Sequence, residues 1–324
     1  MLSDVTVLIP HFNRAELLDR ALATLAGQSA PPLRVLVVDG GSTDATRDVV
    51  GRHSVELLEL GANRGFAPAV NAGLAATTTR WVAVINNDVE LEPGCLAALL
   101  EDADLAGASF ATPRLRQLRH PARLDGCYDL LARSGCAWRA GHDSPDSPAY
   151  SEPRRIWFPP LTCTLLRHDL FERLGGLDER FESYLEDVEF GLRCVRAGLA
   201  GVYVPRAVAY HAGSSTLGAW SPRMVELIAR NQILLAAKHL PPAYWWHIAI
   251  GQALWGLLAL RRGTGTAWTR GKLAGLRLGR AVRASSSPAL QAELDPILRA
   301  AETEIRHSPL AGGYWRAYFA LTSS

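Results

Sequence analysis

The sequence predicts an α/β fold with a mostly parallel central sheet flanked by helices, followed by a helical carboxy-terminal extension. Three observations lead there. The runs Val5–Ile9, Arg34–Asp39 and Trp81–Ile85 are near-continuously apolar, as strands buried on both faces are. The stretches between them have helical patterning, and a strand–helix–strand alternation implies parallel pairing through right-handed crossovers. Each run also gives way to polar or turn residues at its carboxyl end, the edge where open α/β sheets bind ligands.

Taken in order, Val5–Ile9 is the first strand and the stretch from Pro10 to Asn13 is the turn after it. Asn13 with Glu16 resembles a capping box, Asn standing in for Ser or Thr. Leu18, Leu22 and Leu25 then draw one apolar stripe along a helix. Pro31 and Pro32 end that unit. Arg34–Asp39 is the second strand, and Gly40, Gly41 and Ser42 turn into a polar helix from Thr43 to about Val50. Val55–Leu60 reads as a third strand, interrupted by Glu56 and Glu59. A loop from Gly61 to Phe66 precedes a helix over Pro68–Ala76. The run from Trp81 then breaks into Asn86, Asn87 and Asp88, and Pro93 stands where a helix through Cys95–Leu100 can start.

Thr112–Arg155 is rich in Arg, Pro, Gly and Ser and reads as loops over the sheet, either binding loops or a mobile insertion. Trp157–Leu166 returns to strand composition, and Asp169–Leu174 is a short helix. Glu186 and Asp187 open a helix ending near Gly198; acids are favoured there by the macrodipole, so capping alone would explain them. Val202–Pro205 and Val208–Tyr210 are two short strands, with His211 after the second.

The composition narrows the function. The 324 residues are 48% hydrophobic, enough for a large core, and the net charge of +2 argues against a general nucleic-acid binder. Five cysteines without a C-x-x-C spacing give neither a disulfide framework nor a zinc site. The chain runs directly into its first strand, which leads us to expect a cytoplasmic protein. A parallel sheet would gather Pro10–Asn13, Asp39, Asn63–Gly65 and Asn86–Asp88 along one edge, suggesting nucleotide binding. A dinucleotide-binding domain would need glycines in the first turn, and the residues from Pro10 to Arg14 include none. No Walker A, H-E-x-x-H or G-x-S-x-G motif is present either.

Six segments in a fixed order resemble a known family: Val7–Asn13, Val37–Asp44, Asn63–Phe66 with Asn71, Asn86–Asp88, Glu186–Asp187, and His211. They are similar to family 2 glycosyltransferases with a GT-A fold, especially the bacterial branch that includes rhamnosyltransferases. The resemblance spans about residues 4–240. It implies inverting transfer of a sugar from a nucleoside diphosphate to an acceptor hydroxyl, aided by a divalent metal, Mg2+ or Mn2+. The acceptor would be a glycan or a lipid-linked molecule, in cell-surface polysaccharide synthesis. By the same resemblance Asp88 and His211 are metal ligands, and Asp187 is the base that the acceptor hydroxyl requires. Pro10, His11, Asn13 and Asp39 would recognise base and ribose. Asn63, Arg64, Asn71, Asn86 and Asn87 would complete the donor pocket. Asn86 departs from the pattern, because the family more often carries an Asp there; an amide keeps the hydrogen bonds but supplies no charge. dTDP-rhamnose or a UDP-sugar is the first donor to test. Two other classes compete: a sugar-nucleotide-binding protein without turnover, disfavoured by the presence of both Asp187 and His211, and a nucleotidyltransferase, whose amino-terminal Gly-rich loop is missing.

These motifs predict a catalytic domain over residues 1–240 and a helical extension over 241–324. A helix over Ala243–Leu260 would be about 27 Å long, slightly short for a bilayer, and it contains His247 and Gln252. Its tryptophans, followed by Arg262, Arg270, Lys272, Arg277, Arg280 and Arg283, suit a membrane surface. Three placements remain open: attachment to the membrane interface through 241–285, a buried packing helix, and a span. The first would put the protein at the inner face of the plasma membrane.

Overall fold

The computed structural model describes residues 2–213, 220–282 and 288–322; Arg283 lies outside them. Two compact units result, Met1–Tyr128 with Gly141–Gly213, and Asp129–Ala140 with Ser214–Ser324.

Along the chain run β1 (Leu2–His11), α1 (Ala15–Ala26), β2 (Pro32–Asp39), α2 (Thr46–His53), β3 (Glu56–Glu59), α3 (Phe66–Ala75) and β4 (Trp81–Ile85). There follow β5 (Val89–Leu91), α4 (Cys95–Leu105), β6 (Phe110–Gln117) and β7 (Leu124–Gly126). The hairpin β8 (Asp129–Leu131) and β9 (Ala137–Arg139) belongs to the second unit. Then come β10 (Arg154–Ile156), β11 (Cys163–Arg167), α5 (Asp169–Leu174), α6 (Glu186–Arg196) and β12 (Gly201–His211).

The main sheet has the order β10-β12-β6-β11-β4-β1-β2-β3, with β5 beside β12 and β7 beside β6. Strands β1 to β4 are mutually parallel. Antiparallel β11 lies between β4 and β6, so β6 and its parallel partner β12 run in the same sense as β4. On one face the side chains of Val5, Val7, Ile9, Ala83 and Ile85 join Leu18 and Leu22 of α1 and Leu96 and Leu99 of α4 in a single core. On the other face α3 lies so close that a Cβ at Gly73 would stand 2.1 Å from Leu8 Cδ1.

Three local expectations change. The stretch read as irregular from Thr112 begins inside a sheet strand. Arg114 and Arg116 flank the buried Leu115 and both bind Asp146, at 3.1 and 2.7 Å, so charge hides the strand alternation. The two short strands before His211 are one, β12, with a register irregularity between Val204 and Val208 where Pro205 falls. Helix α1 has no capping box: Asn13 and Arg14 take φ values of 54° and 65°, and the Ala15 N–H donates to Asp44 Oδ2 at 2.9 Å. The cap comes from the β2–α2 loop, and α2 accordingly begins at Thr46 rather than Thr43.

The second unit adds α7 (Pro222–His239), α8 (Trp245–Arg261), α9 (Gly265–Arg280), α10 (Pro288–His307) and α11 (Gly313–Thr322) to its hairpin. Gly271 and Gly275 let α9 touch α7; a Cβ at either would stand 2.3 or 2.6 Å from the carbonyl oxygens of Glu226 or Arg230. Lys272 is not a surface cation. It is buried, its Nζ donates to Gln232 Oε1 at 2.9 Å and to Gln252 Oε1, and burial lowers its pKa to about 7 against an opposing influence of Cys136. His247 and Gln252 also turn inward, to Tyr318 Oη at 3.0 Å and to the Ser134 carbonyl at 3.0 Å. Among the described residues no helix is long and apolar enough to cross a membrane.

Candidate active site

Strand register gathers most of the expected residues. His11 pairs with Asp39 at the carboxyl ends of β1 and β2, and β4 ends just before Asn86–Asp88. The chain turns at once, the Val89 N–H donating to the Asn86 carbonyl at 3.2 Å, and β5 returns antiparallel to β12 with Val89 opposite His211. This reversal brings Asp88 to His211: Oδ1 lies 3.3 Å from Nε2, and the Ala212 N–H donates to the Asp88 carbonyl at 3.0 Å. Both side chains are largely shielded from solvent.

The other ring nitrogen of His211 faces a residue that the sequence did not single out. Nδ1 lies 2.9 Å from Oδ2 of buried Asp125 on β7, whose own carbonyl accepts from the ring of His142 at 2.8 Å. Burial alone would depress the His211 pKa; hydrogen bonds to Asp125 and Asp88, together with their charges, outweigh it and lift the pKa to about 9. The apolar–Asp–Gly pattern of Leu124-Asp125-Gly126 repeats that of Val38-Asp39-Gly40. It was hidden by the surrounding arginines.

His11 is buried, with Nδ1 2.8 Å from Asn87 Nδ2 and Nε2 2.8 Å from Thr46 Oγ1. Thr46 donates in turn to Asp44. Burial lowers the His11 pKa despite the charges of Asp39 and Asp44. A neutral ring fits this line: the Asn87 amide donates to Nδ1 and the Nε2 proton goes to Thr46. Both ring nitrogens are therefore engaged within the protein, and His11 ties the β1 end to the Asn87 turn. Asp39 accepts from the Ser42 N–H at 2.9 Å and from its hydroxyl. Ser42 Oγ accepts from the Asn13 N–H at 2.7 Å, and Asn13 Oδ1 from the Thr43 N–H at 3.0 Å. Pro10, just before His11, is the penultimate residue of β1.

Asn86 is partly exposed, and its side chain makes no hydrogen bond among the described residues. Asn63 and Arg64 are exposed, Asn63 Oδ1 accepting from the Gly65 N–H at 3.0 Å. Asn71 is a clamp between segments. Its amide donates to the Leu177 carbonyl at 2.9 Å and to Glu179 at 3.0 Å, and its oxygen accepts from the Leu177 N–H at 2.8 Å.

Asp187 sits in the first turn of α6, after a loop in which Glu182, Tyr184 and Leu185 all have positive φ. That loop docks on the start of α3: the Ala67 N–H donates to the Glu182 carbonyl at 2.9 Å, and a Cβ at Gly65 would approach that oxygen to 2.8 Å. Of the three acids in this turn, Glu186 and Glu189 are buried, and Glu189 pairs with Arg193 at 2.8 Å. Asp187 keeps access to solvent, its Oδ1 accepting from the Val188 N–H at 2.7 Å.

The fold is of the GT-A type. Residues 6–175 match the model for glycosyl transferase family 2, and the chain belongs to that family. It is 33% identical over 276 residues to the N-acetylglucosaminyl-diphospho-decaprenol L-rhamnosyltransferase of Mycobacterium tuberculosis, covering 75% of this chain and 87% of that protein. It is 30% identical to the pre-mycofactocin glycosyltransferase of the same organism, over 88% of this chain and 59% of that protein. Among solved structures, the mannosyltransferase PcManGT of Pyrobaculum calidifontis with GDP-Man and Mn2+ superposes with a TM-score of 0.55, at 20% identity, over 98% of this chain and 86% of that one. GalNAc-T7 with UDP, GalNAc and Mn2+ gives 0.63 at 12% identity, over 95% and 58%. These two likenesses establish the fold.

Proposed function

We propose that this glycosyltransferase is inverting and metal-dependent, and that it moves a sugar from a nucleoside diphosphate to a hydroxyl of a glycan or lipid-linked acceptor in cell-surface polysaccharide synthesis. The observation that carries the reading is the convergence of Asp88 Oδ1 and His211 Nε2, 3.3 Å apart. Adjacent ligands of an octahedral cation with bonds of about 2.1 Å lie about 3 Å apart, so this pair suits two neighbouring positions on Mg2+ or Mn2+. Asp125 meets the other ring nitrogen of His211, so such a cation would take its remaining ligands from phosphate and water. Asp88 and His211 would hold it, and when bound it would stabilise negative charge on the leaving diphosphate.

The remaining steps belong to side chains. Asp187 accepts the acceptor hydroxyl's proton as that oxygen attacks the anomeric carbon opposite the diphosphate, which inverts the configuration. Asp39 and Asn13 serve base and ribose, joined by Pro10, Asn63, Arg64 and Asn86. Asn87, aligned by neutral His11, fixes the turn that presents Asp88. Asn71 positions the loop leading to α6. The mycobacterial relative is named for rhamnose transfer to a diphospho-decaprenol acceptor, which favours dTDP-rhamnose as the first donor to test and a lipid-linked acceptor. A lipid-linked acceptor accords with peripheral attachment at the inner membrane face through residues 241–285. Calorimetry with UDP, dTDP and GDP, with and without Mn2+, tests the reading: one diphosphate should bind in a Mn2+-dependent way, and its sugar conjugate should turn over. Metal-indifferent binding of all three would refute it.

Asp125 holds the ring nitrogen of His211 that faces away from Asp88, as carboxylates behind metal-binding histidines do. Asp125→Asn should weaken Mn2+-supported diphosphate binding about 10-fold, with metal-free binding unchanged. Equal affinity in the variant would deny Asp125 that role.

A further inference from the structure

The exposed side of α8 is the reverse of what a helix on a water-soluble surface presents. Trp245, Trp246, Ala249, Ala253, Leu257 and Leu260 are its exposed residues before the terminal Arg261. At 100° per residue they fall within an arc of about 120°, and none is polar. The polar Gln252 is buried outside that arc, with Gly251 and Ala259, while Gly256 at the arc's edge lies against Trp268 of α9. Amphipathic surface helices turn their polar face outward. Isolated exposed apolar residues are ordinary, but a whole helix face of them marks an interaction surface. The exposure is large where the side chains are large: 64% at Trp245, 51% at Trp246 and 63% at Leu260.

Charge identifies the partner. No acidic residue occurs anywhere from Leu227 to Ala292. Arg261 and Arg262 close α8, and the exposed face of α9 mixes Leu273 and Leu276 with Arg270, Arg277 and Arg280. Arg270 reaches Glu226 at 3.3 Å, whereas Arg277 and Arg280 have no acidic partner among the described residues. An apolar stripe bearing tryptophans, followed in the chain by unneutralised arginines, is the composition of a segment that binds an anionic lipid surface. The 17 residues of α8 reach only about 26 Å, which suits that orientation and not a crossing.

We propose that the outer face of α8 inserts into the headgroup region of an anionic bilayer, and that the arginines of α9 select negatively charged lipid. This rests on the membrane-contact reading above and assigns it to particular side chains. The test is flotation of the full chain with vesicles of phosphatidylcholine alone or mixed with phosphatidylglycerol, with tryptophan fluorescence as a second readout. The wild type should float with the mixed vesicles, shift its emission to the blue and come off in high salt. A Trp245→Ser, Trp246→Ser, Leu257→Ser variant should partition at least about 10-fold less, with an unchanged thermal midpoint because these side chains are exposed. Arg277→Ala with Arg280→Ala should erase the preference for phosphatidylglycerol. If the wild type floats and the α8 variant floats equally, this assignment fails while membrane contact stands. If the wild type floats with neither vesicle, both fail. A wild-type dimer that the α8 substitutions convert to monomer, without vesicle binding, would give the face to a second copy and overturn the proposal.

Discussion

Asp187→Asn is expected to lower turnover about 10³-fold, close to 4 kcal/mol of transition-state stabilisation, while donor binding survives. The substitution keeps the shape and leaves an amide oxygen that can still accept from the Val188 N–H, now at 2.7 Å from the carboxylate. It removes the negative charge and the basicity that the acceptor hydroxyl needs. Helix α6 should tolerate the change: a carboxylate in a first helical turn contributes at most about 1 kcal/mol through the macrodipole. Glu189, bound to Arg193 at 2.8 Å, and the 5.0 Å stacking of Phe190 on Phe171 continue to anchor the helix. The informative measurement is the split between kcat, which should collapse, and the dissociation constant of the nucleoside diphosphate, which should stay within about twofold. Unchanged turnover would remove Asp187 from the role of base. Loss of binding along with turnover would make it a structural cap, the plainer reading that its position at a helix start always allowed.

How far the chain could be read in advance depends on whether each signal is local. The parallel strands were legible because Val7–Ile9, Leu36–Val38 and Val82–Ile85 are buried on both faces and need no polar residues. Strand β6 was not, because Arg114 and Arg116 alternate with buried Leu115 and find their counter-charge in Asp146, thirty residues on. The cap of α1 is hidden from the sequence for a similar reason. Asn13 looks like a cap in sequence, but the oxygen that satisfies Ala15 belongs to Asp44. Motif order alone points to Asp88 and His211, and only the antiparallel return of β5 onto β12 explains why they meet. Asp125 carried no comparable signal, since one aspartate in an arginine-rich stretch is ordinary until topology brings a histidine to it. Lys272 erred in the opposite direction: a basic residue among arginines reads as surface, yet its place between Gly271 and Gly275 turns it toward α7.

Asp88→Ala and His211→Ala should each weaken Mn2+-dependent diphosphate binding by more than about 100-fold, beyond the range expected for residues behind the ligands. Both should leave the weaker, metal-free binding alone. The stronger claim concerns the double variant. If the two side chains hold one cation, removing the second after the first has little left to remove. The effects should then fall far short of additive, as expected for groups sharing a partner. Stability should not follow the same pattern. In the metal-free protein His211 lies between Asp88 and Asp125, at 3.3 and 2.9 Å. His211→Ala therefore leaves two largely buried carboxylates without the ring between them, whereas Asp88→Ala leaves the His211–Asp125 pair intact. Thermal unfolding without metal should accordingly be depressed more by His211→Ala, even though the two variants lose metal-dependent affinity alike. That divergence separates a shared metal site from a structural ion pair. A merely structural pair would lower metal-dependent and metal-free nucleotide binding together, in proportion to its loss of stability. Additive losses, or metal-dependent binding that persists in either single variant, would mean that Asp88 and His211 do not hold a common cation.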